Sequence, residues 1–389
     1  MRGQLVFRES FPAVFLTLAF GLAVACAPQQ KPDAPYHHTT GGFRNPPGSP
    51  ERNPWHLRFP WLLSRIIAGR ENWRVEFPES HVIPPDDALA AFQATEGKDT
   101  LTWIGHMTAL IRLDGVTVLT DPWLTDFATP TPPYGPRRYV PPGIAVKDMP
   151  KIDVIVLSHG HFDHLDLPTL DILPHKAGIT AIVPLGLGHY FEERGYGTVI
   201  EMDWYDSATL KGLKFTALPV IHWSKRSLFK TSDTLWAGFA IEGSAGKRLY
   251  FGGDAEYGPV YKEVAQTHGG FDLAIISIGA YLPRKVMHGS HCIPETCLRL
   301  GMDLGAHTLL GIHWGTARLG DDGFNDAPKG FVAAGRRAGI PDDRVWIMRI
   351  GETRVLPRRP RERVPDPDKP WRWGVTSVPA RFEASRGTL

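Results

Sequence analysis

The stretch SHGHFDHLD, Ser158 to Asp166, places His159, His161, Asp163 and His164 within six positions. Imidazole nitrogens suit Zn²⁺ and similar borderline metals, and a carboxylate adds a harder oxygen donor. The preceding segment, IDVIVL (Ile152 to Leu157), is continuously apolar and reads as a buried parallel strand. The four side chains therefore sit on the loop leaving the carboxyl end of a strand, where open α/β sheets bind ligands. His159 and His161 are two apart in an extended turn and can share one metal, while Asp163 and His164 can reach a second. A lone HxH is a weak signal. HxHxDH behind an apolar strand demands four ligand-type residues at fixed offsets.

Three further residues repeat that placement. His222 follows FTALPVI, Asp254 follows LYFGG, and His313 follows TLLGI. Singly, each reads equally well as a satisfied core residue. Jointly they complete two sets: His159, His161 and His222 for one ion, and Asp163, His164 and His313 for the other, with Asp254 able to bridge. That count suits two Zn²⁺ ions with positions left open for water. Such a pair, ~3.5–4 Å apart, clamps both oxygens of an in-line displacement.

The elements that must position these residues follow from hydrophobic periodicity. LTWIG is a strand, and ALIRL and VTVLT form a hairpin across Asp114-Gly115, a dipeptide that favours a tight primed turn. Downstream, apolar strand patterns alternate with helical ones through VWIMRI and TRVL. Two successive sets of strands and helices predict an α/β sandwich of two sheets with helices on both outer faces. A Pro-rich loop, PTPPYGPRRYVPP, carries Arg137 and Arg138 near the site and offers them as phosphate contacts.

Composition bounds the rest. The 389 residues carry a net charge of +2, which gives no basic face for nucleic acid. Three cysteines make no disulfide framework; Cys292 and Cys297 are close enough to pair, but their setting decides nothing. Arg2 and Arg8 precede an apolar run from Phe11 to Ala25, then Cys26, so residues 1–26 read as an export signal with a lipoprotein-like cysteine. The mature chain is then expected outside the cytoplasm, lipid-anchored and facing the periplasm. Residues 27–99 read as an extended arm and helices, 100–357 as the catalytic domain, and 358–389 as an exposed tail. His37 and His38 on the arm read as solvated histidines rather than ligands. WHLRFPWLLSRIIAGR, Trp55 to Arg70, fits a basic amphipathic helix, either packed on the domain with its arginines outward or lying at a membrane surface.

Beyond these residue-level readings, WIGHMT, LTDPW, GPRRYVPP, KIDVIVLSHGHFDHLD, VPLGL, HWSKR, FDLAIISIGAYLPR, IHWGT and GET resemble, in this order, the N-acylphosphatidylethanolamine-hydrolysing phospholipase D family. The resemblance spans roughly Trp103 to Glu352. It implies the metallo-β-lactamase fold, an αβ/βα four-layer sandwich with a dinuclear zinc site at its seam, two ions per chain, held by the seven residues above. It further implies that Asp121 of TDP supports a ligand histidine from behind. His291, in MHGSHCIPE, would contact the substrate phosphate or protonate the leaving group. The family carries an acidic residue two positions later, where this chain has Ile293. A phospholipid substrate, a membrane surface and a homodimer follow from the same likeness. So does a mechanism in which Asp163 and Asp254 act with His291 to release phosphatidic acid and an N-acylethanolamine. The competing expectations are a lactonase or a hydrolase of soluble phosphorylated metabolites on the same fold, and a non-catalytic zinc- or lipid-binding lipoprotein.

Overall fold

The computed structural model describes residues 30–31, 34–68, 75–226 and 231–360. The expected export segment and residues 361–389 of the expected tail lie outside the described residues.

The arm carries a hairpin of β1 (His38–Thr39) and β2 (Gly42–Phe43), followed by α1 (Trp55–Ala68) and α2 (Pro85–Gln93). The sandwich begins with β3 (Thr100–Gly105), β4 (Thr108–Leu113), β5 (Val116–Thr120) and β6 (Val154–Val156). It continues through α3 (Leu167–Ile172), β7 (Thr180–Pro184), α4 (His189–Glu192) and β8 (Thr198–Met202). The second half holds β9 (Ser207–Leu210), β10 (Leu213–Leu218), β11 (Gly238–Glu242) and β12 (Arg248–Phe251), then α5 (Val260–His268) and β13 (Phe271–Ser277). It closes with α6 (Arg284–Met287), α7 (Pro294–Asp303), β14 (Ala306–Ile312), α8 (Asp326–Arg337), β15 (Val345–Trp346) and β16 (Thr353–Val355).

Two seven-stranded sheets result, ordered β16-β3-β4-β5-β6-β7-β8 and β9-β10-β11-β12-β13-β14-β15. Both follow the same scheme. In the first, β16 through β5 pair antiparallel and β5 through β8 parallel. In the second, β9 through β12 pair antiparallel and β12 through β15 parallel. The Asp114-Gly115 turn between β4 and β5 has both residues at positive φ, 50° and 79°, as a primed hairpin turn requires.

Period-two alternation assigns the faces of the first sheet. Trp103, Ile111, Val118, Val154 and Val156 point into the core shared with the second sheet. Their neighbours Ile104, Leu110, Leu119 and Ile155 point outward into a second core with Ala88 and Phe92 of α2, Leu170 of α3 and Phe191 of α4. Beyond the second sheet, α5, α7 and α8 contribute Val264, Leu298 and Phe331 to the shared core. The layers are helix, sheet, sheet, helix, as the two-sheet sandwich reading requires.

The arm corrects one expectation. It is not a solvated tether from Ala34 onward: His37 Nε2 and His38 Nε2 pair with the two oxygens of Asp203 at 2.5 and 2.7 Å, and His37 stacks on Trp204. Cys292 and Cys297, which the sequence left undecided, are joined as a disulfide. The α1 helix also departs from the packed reading with outward arginines. Arg65 is buried and pairs with Asp321, to which Trp61 Nε1 also donates, whereas Trp55, Leu57, Phe59, Leu62 and Leu63 are exposed. Among the described residues, no helix is long and apolar enough to cross a membrane.

Candidate metal centre

All seven expected ligands converge where the carboxyl ends of strands from both sheets meet. The loop after β6 brings His159, His161, Asp163 and His164, and the segments after β10, β12 and β14 bring His222, Asp254 and His313. In one set, His159 Nε2 lies 2.7 Å from His161 Nδ1, which lies 3.3 Å from His222 Nε2; His222 Nε2 is 3.7 Å from Asp254 Oδ2. In the other, Asp163 Oδ2 is 3.4 Å from His164 Nε2 and 3.7 Å from His313 Nε2. Asp254 reaches this set as well, at 3.2 Å from His164 Nε2 and 3.0 Å from His313 Nε2. The donor atoms within each set lie within 4.8 Å of one another.

Whether these donors fit metal ions can be read from the atoms left over. His164 Nε2, His313 Nε2 and Asp254 Oδ1 are buried and lack a hydrogen-bond partner of proper geometry. A buried polar atom without a partner is costly, and cations at the centre of this cluster would satisfy the lone pairs together. The electrostatics agree. Burial pushes His159 and His222 well below the usual imidazole range, leaving neutral rings with a free lone pair. For His164 and His313, burial also opposes the charged ring, but Asp254 and Asp163 outweigh it: His164 is raised well above its ordinary value and His313 to about 9. The carboxylates call for positive charge at the point where divalent ions would supply it.

A second ring of contacts fixes the ligands. Asp121 is fully buried; it accepts hydrogen bonds from the Ser158 backbone N–H at 2.7 Å and Ser158 Oγ at 2.6 Å, and its Oδ2 lies 2.6 Å from His164 Nδ1. Ser158 Oγ also lies 2.9 Å from His159 Nδ1, and the Ser290 carbonyl lies 2.9 Å from His222 Nδ1. The rings of His159, His164 and His222 are thus oriented by their far nitrogens. The backbone is strained at the same place: His106, Asp121 and His313 have φ of 53°, 32° and 67°. Such conformations cost on the order of 1–3 kcal/mol each and cluster at functional sites. Gly253, beside Asp254, must be glycine, because a Cβ would stand 2.4 Å from Ser158 Cβ.

The remaining expected residues divide. His291 comes to the site: its Nε2 is 3.9 Å from Asp254 Oδ2, its Nδ1 is buried without a partner, and burial pushes its pKa down to about 4. Arg138 is turned inward. It is buried, with Nη1 on the Trp123 carbonyl at 2.5 Å and Nε on the Val140 carbonyl at 3.3 Å, so it anchors the Pro-rich loop. Arg137 is exposed and pairs with Asp126 at 3.2 Å.

Two side chains that sequence reasoning passed over belong here. His106, at the β3–β4 turn, holds Asp163 Oδ2 at 2.9 Å and packs 4.1 Å from the His313 ring. Its placement directly after WIG, the same strand-end position as the ligands, is the signal that could have found it. Arg226 of HWSKR donates to the Gly160 and Leu165 carbonyls at 3.1 and 2.7 Å, pinning the histidine loop from outside.

Comparison with known proteins follows the same lines. The profile of the β-lactamase superfamily domain matches residues 116–314. An uncharacterised protein of Mycobacterium tuberculosis is 36% identical over 239 residues, covering 60% of this chain and 63% of that protein. N-acyl-phosphatidylethanolamine-hydrolysing phospholipase D 1 of Caenorhabditis elegans is 36% identical over 239 residues, covering 59% of this chain and 67% of the nematode protein. The mitochondrial N-acyl-phosphatidylethanolamine-hydrolysing phospholipase D of Saccharomyces cerevisiae is 31% identical over 258 residues, covering 65% and 55%. The match thus spans less than two thirds of the mycobacterial and yeast proteins. Among solved structures, an isothiocyanate hydrolase from Delia radicum gut bacteria aligns with a TM-score of 0.52 at 18% identity, covering 66% of this chain and 99% of that one, and shows the fold. By the superfamily profile, by these relatives and by the sandwich that carries the site, the chain belongs to the β-lactamase superfamily and has the metallo-β-lactamase fold.

Proposed function

We propose that this chain is a dinuclear zinc phosphodiesterase that hydrolyses N-acylphosphatidylethanolamine-like phospholipids to phosphatidic acid and an N-acylethanolamine. The observation that carries the reading is Asp254, whose two oxygens reach both ligand sets, which supports a single two-ion centre. Two divalent ions bound there would supply a water acidic enough to attack at neutral pH and would offset the charge of the phosphodiester. Asp254 holds the proton released on attack, and Asp163, tied to His106, keeps the second ligand set in register. The unpartnered Nδ1 of His291 donates a hydrogen bond to a phosphoryl oxygen.

Two observations favour a lipid over a soluble metabolite. The nematode and yeast relatives carry names for this lipid hydrolysis. The exposed apolar side chains of α1 form a face suited to the interface of a membrane, with the helix fastened to the domain by Trp61 and Arg65. Export and lipid attachment through Cys26 would set the protein on a membrane facing the periplasm.

Turnover in ¹⁸O-labelled water tests the reaction. Cleavage at phosphorus puts the label into phosphatidic acid. Label in the N-acylethanolamine, or no turnover of any phosphodiester by metal-loaded protein, contradicts the assignment.

A further inference from the structure

The arm that precedes α1 lies outside residues 116–314, yet it reaches the metal centre. Asn45 Oδ1 accepts from the backbone N–H of His222 at 2.9 Å and from Trp236 Nε1 at 3.1 Å. Seven residues on, Arg52 donates from Nε to Ser290 Oγ at 3.1 Å, and its guanidinium carbon lies 3.7 Å from the centre of the Trp223 ring. Both partners are fastened to the centre. The Ser290 carbonyl holds His222 Nδ1 and the next residue is His291; Trp223 follows His222 and stands edge-on to His161 with ring centres 4.4 Å apart.

Charge sets Arg52 apart. Some partly buried arginines of the fold face carboxylates, as Arg284 faces Glu256 at 2.7 Å, and others, such as Arg138 and Arg226, donate from a terminal nitrogen to backbone carbonyls. Arg52 has none within ion-pair distance among the described residues, and its terminal nitrogens donate no hydrogen bond there. Burial, and then repulsion from Arg58, push its pKa down to about 9. The Nε of Arg58, on α1, is buried and also without a hydrogen-bond partner. Stacking on Trp223 offsets part of the cost of desolvating the cation. An anion between the metal centre and these guanidiniums would offset the remainder.

We propose that Arg52 is a substrate-binding residue of this site: its free guanidinium nitrogens hold a non-bridging oxygen of the phosphate group, and Arg58 strengthens the positive field at the mouth. The identity of the phosphate as a phospholipid headgroup rests on the function proposed above; the binding of a phosphate anion does not.

The test uses the metal-loaded full chain and two probes, inorganic phosphate and an N-acylphosphatidylethanolamine in detergent, with Arg52→Gln and Arg52→Lys. A charge-assisted hydrogen bond of about 1.5–3 kcal/mol corresponds to about ten- to a hundredfold in affinity. Arg52→Gln should therefore weaken phosphate binding, read by calorimetry, by about tenfold or more, and raise KM for the lipid with a smaller change in kcat. Metal content and melting temperature should stay at wild-type values, and Arg52→Lys should recover part of the loss. Phosphate binding unchanged in Arg52→Gln overturns the proposal. So does a loss that tracks metal content or melting temperature in both variants, since that marks Arg52 as an anchor of the arm. If Arg52 governs phosphate binding but the wild-type protein turns over no lipid, the anion site stands and the lipid reading falls.

Discussion

His164 and Asp121 are joined at 2.6 Å between Nδ1 and Oδ2, both wholly buried, and the same carboxylate takes both hydrogen bonds of Ser158. One side chain therefore sets the ring of His164 and, through Ser158, that of His159, which places a ligand of each set under common control. Asp121→Asn should lower metal affinity by about 10–100-fold, the usual consequence of losing such a support. Chelator competition followed by metal analysis reads this directly. Undiminished affinity would mean that the pair is structural decoration of the loop.

In the function proposed above, His291 contacts the substrate phosphate. His291→Ala should reduce kcat by about 10²–10⁴-fold while metal content stays full. His291→Gln, which keeps a donor, should lose less. Equal kcat in all three proteins would remove His291 from the chemistry.

The exposed face of α1 should bind lipid surfaces. Phe59→Glu with Leu63→Glu places two charges on that face without touching Trp61 or Arg65, which hold the helix down. Co-sedimentation with phospholipid vesicles should fall sharply for the double variant, while turnover of detergent-dispersed substrate is largely retained. Equal sedimentation would assign the face to some other partner.

The arm should be latched in a pH-dependent way. Burial opposes the charge of Asp203, but hydrogen bonds from His37 and His38 outweigh it and hold the carboxyl below its ordinary value. A depressed folded pKa stabilises above the free carboxylate value of about 3.9 and is lost as pH falls through the lower folded value. Protection of the arm amides, measured by hydrogen exchange corrected for intrinsic rates, should persist to about pH 4 and fall below it. Asp203→Asn should remove the protection already at neutral pH. Protection unaffected by this variant would place the latch elsewhere in the arm.

How far the sequence was readable depends on whether a residue's partner is local. The convergence of the seven candidate ligands was legible because they stand just beyond the carboxyl ends of apolar strands, β6 of one sheet and β10, β12 and β14 of the other, and these ends meet. Asp121 and His291 were legible only through family likeness. His37 and His38 were misread because their partner, Asp203, lies some 165 positions away and leaves no trace in the arm's own composition. Arg138 misled for the opposite reason. Its setting among prolines suggested an exposed loop, whereas the loop folds back and puts Nε and Nη1 on backbone carbonyls. In α1 the periodicity was right and the orientation was not. Arg65 turns inward because Asp321, on the loop before α8, is there to receive it.

The most direct measurement is turnover of a long-chain N-acylphosphatidylethanolamine by zinc-loaded protein, with products identified by mass spectrometry and Asp254→Asn as the control. The account predicts phosphatidic acid and N-acylethanolamine in equal amounts from the wild-type protein, and neither from a folded Asp254→Asn variant. Absence of both products from fully metallated wild-type protein, or turnover by an Asp254→Asn variant with full metal content, would contradict it.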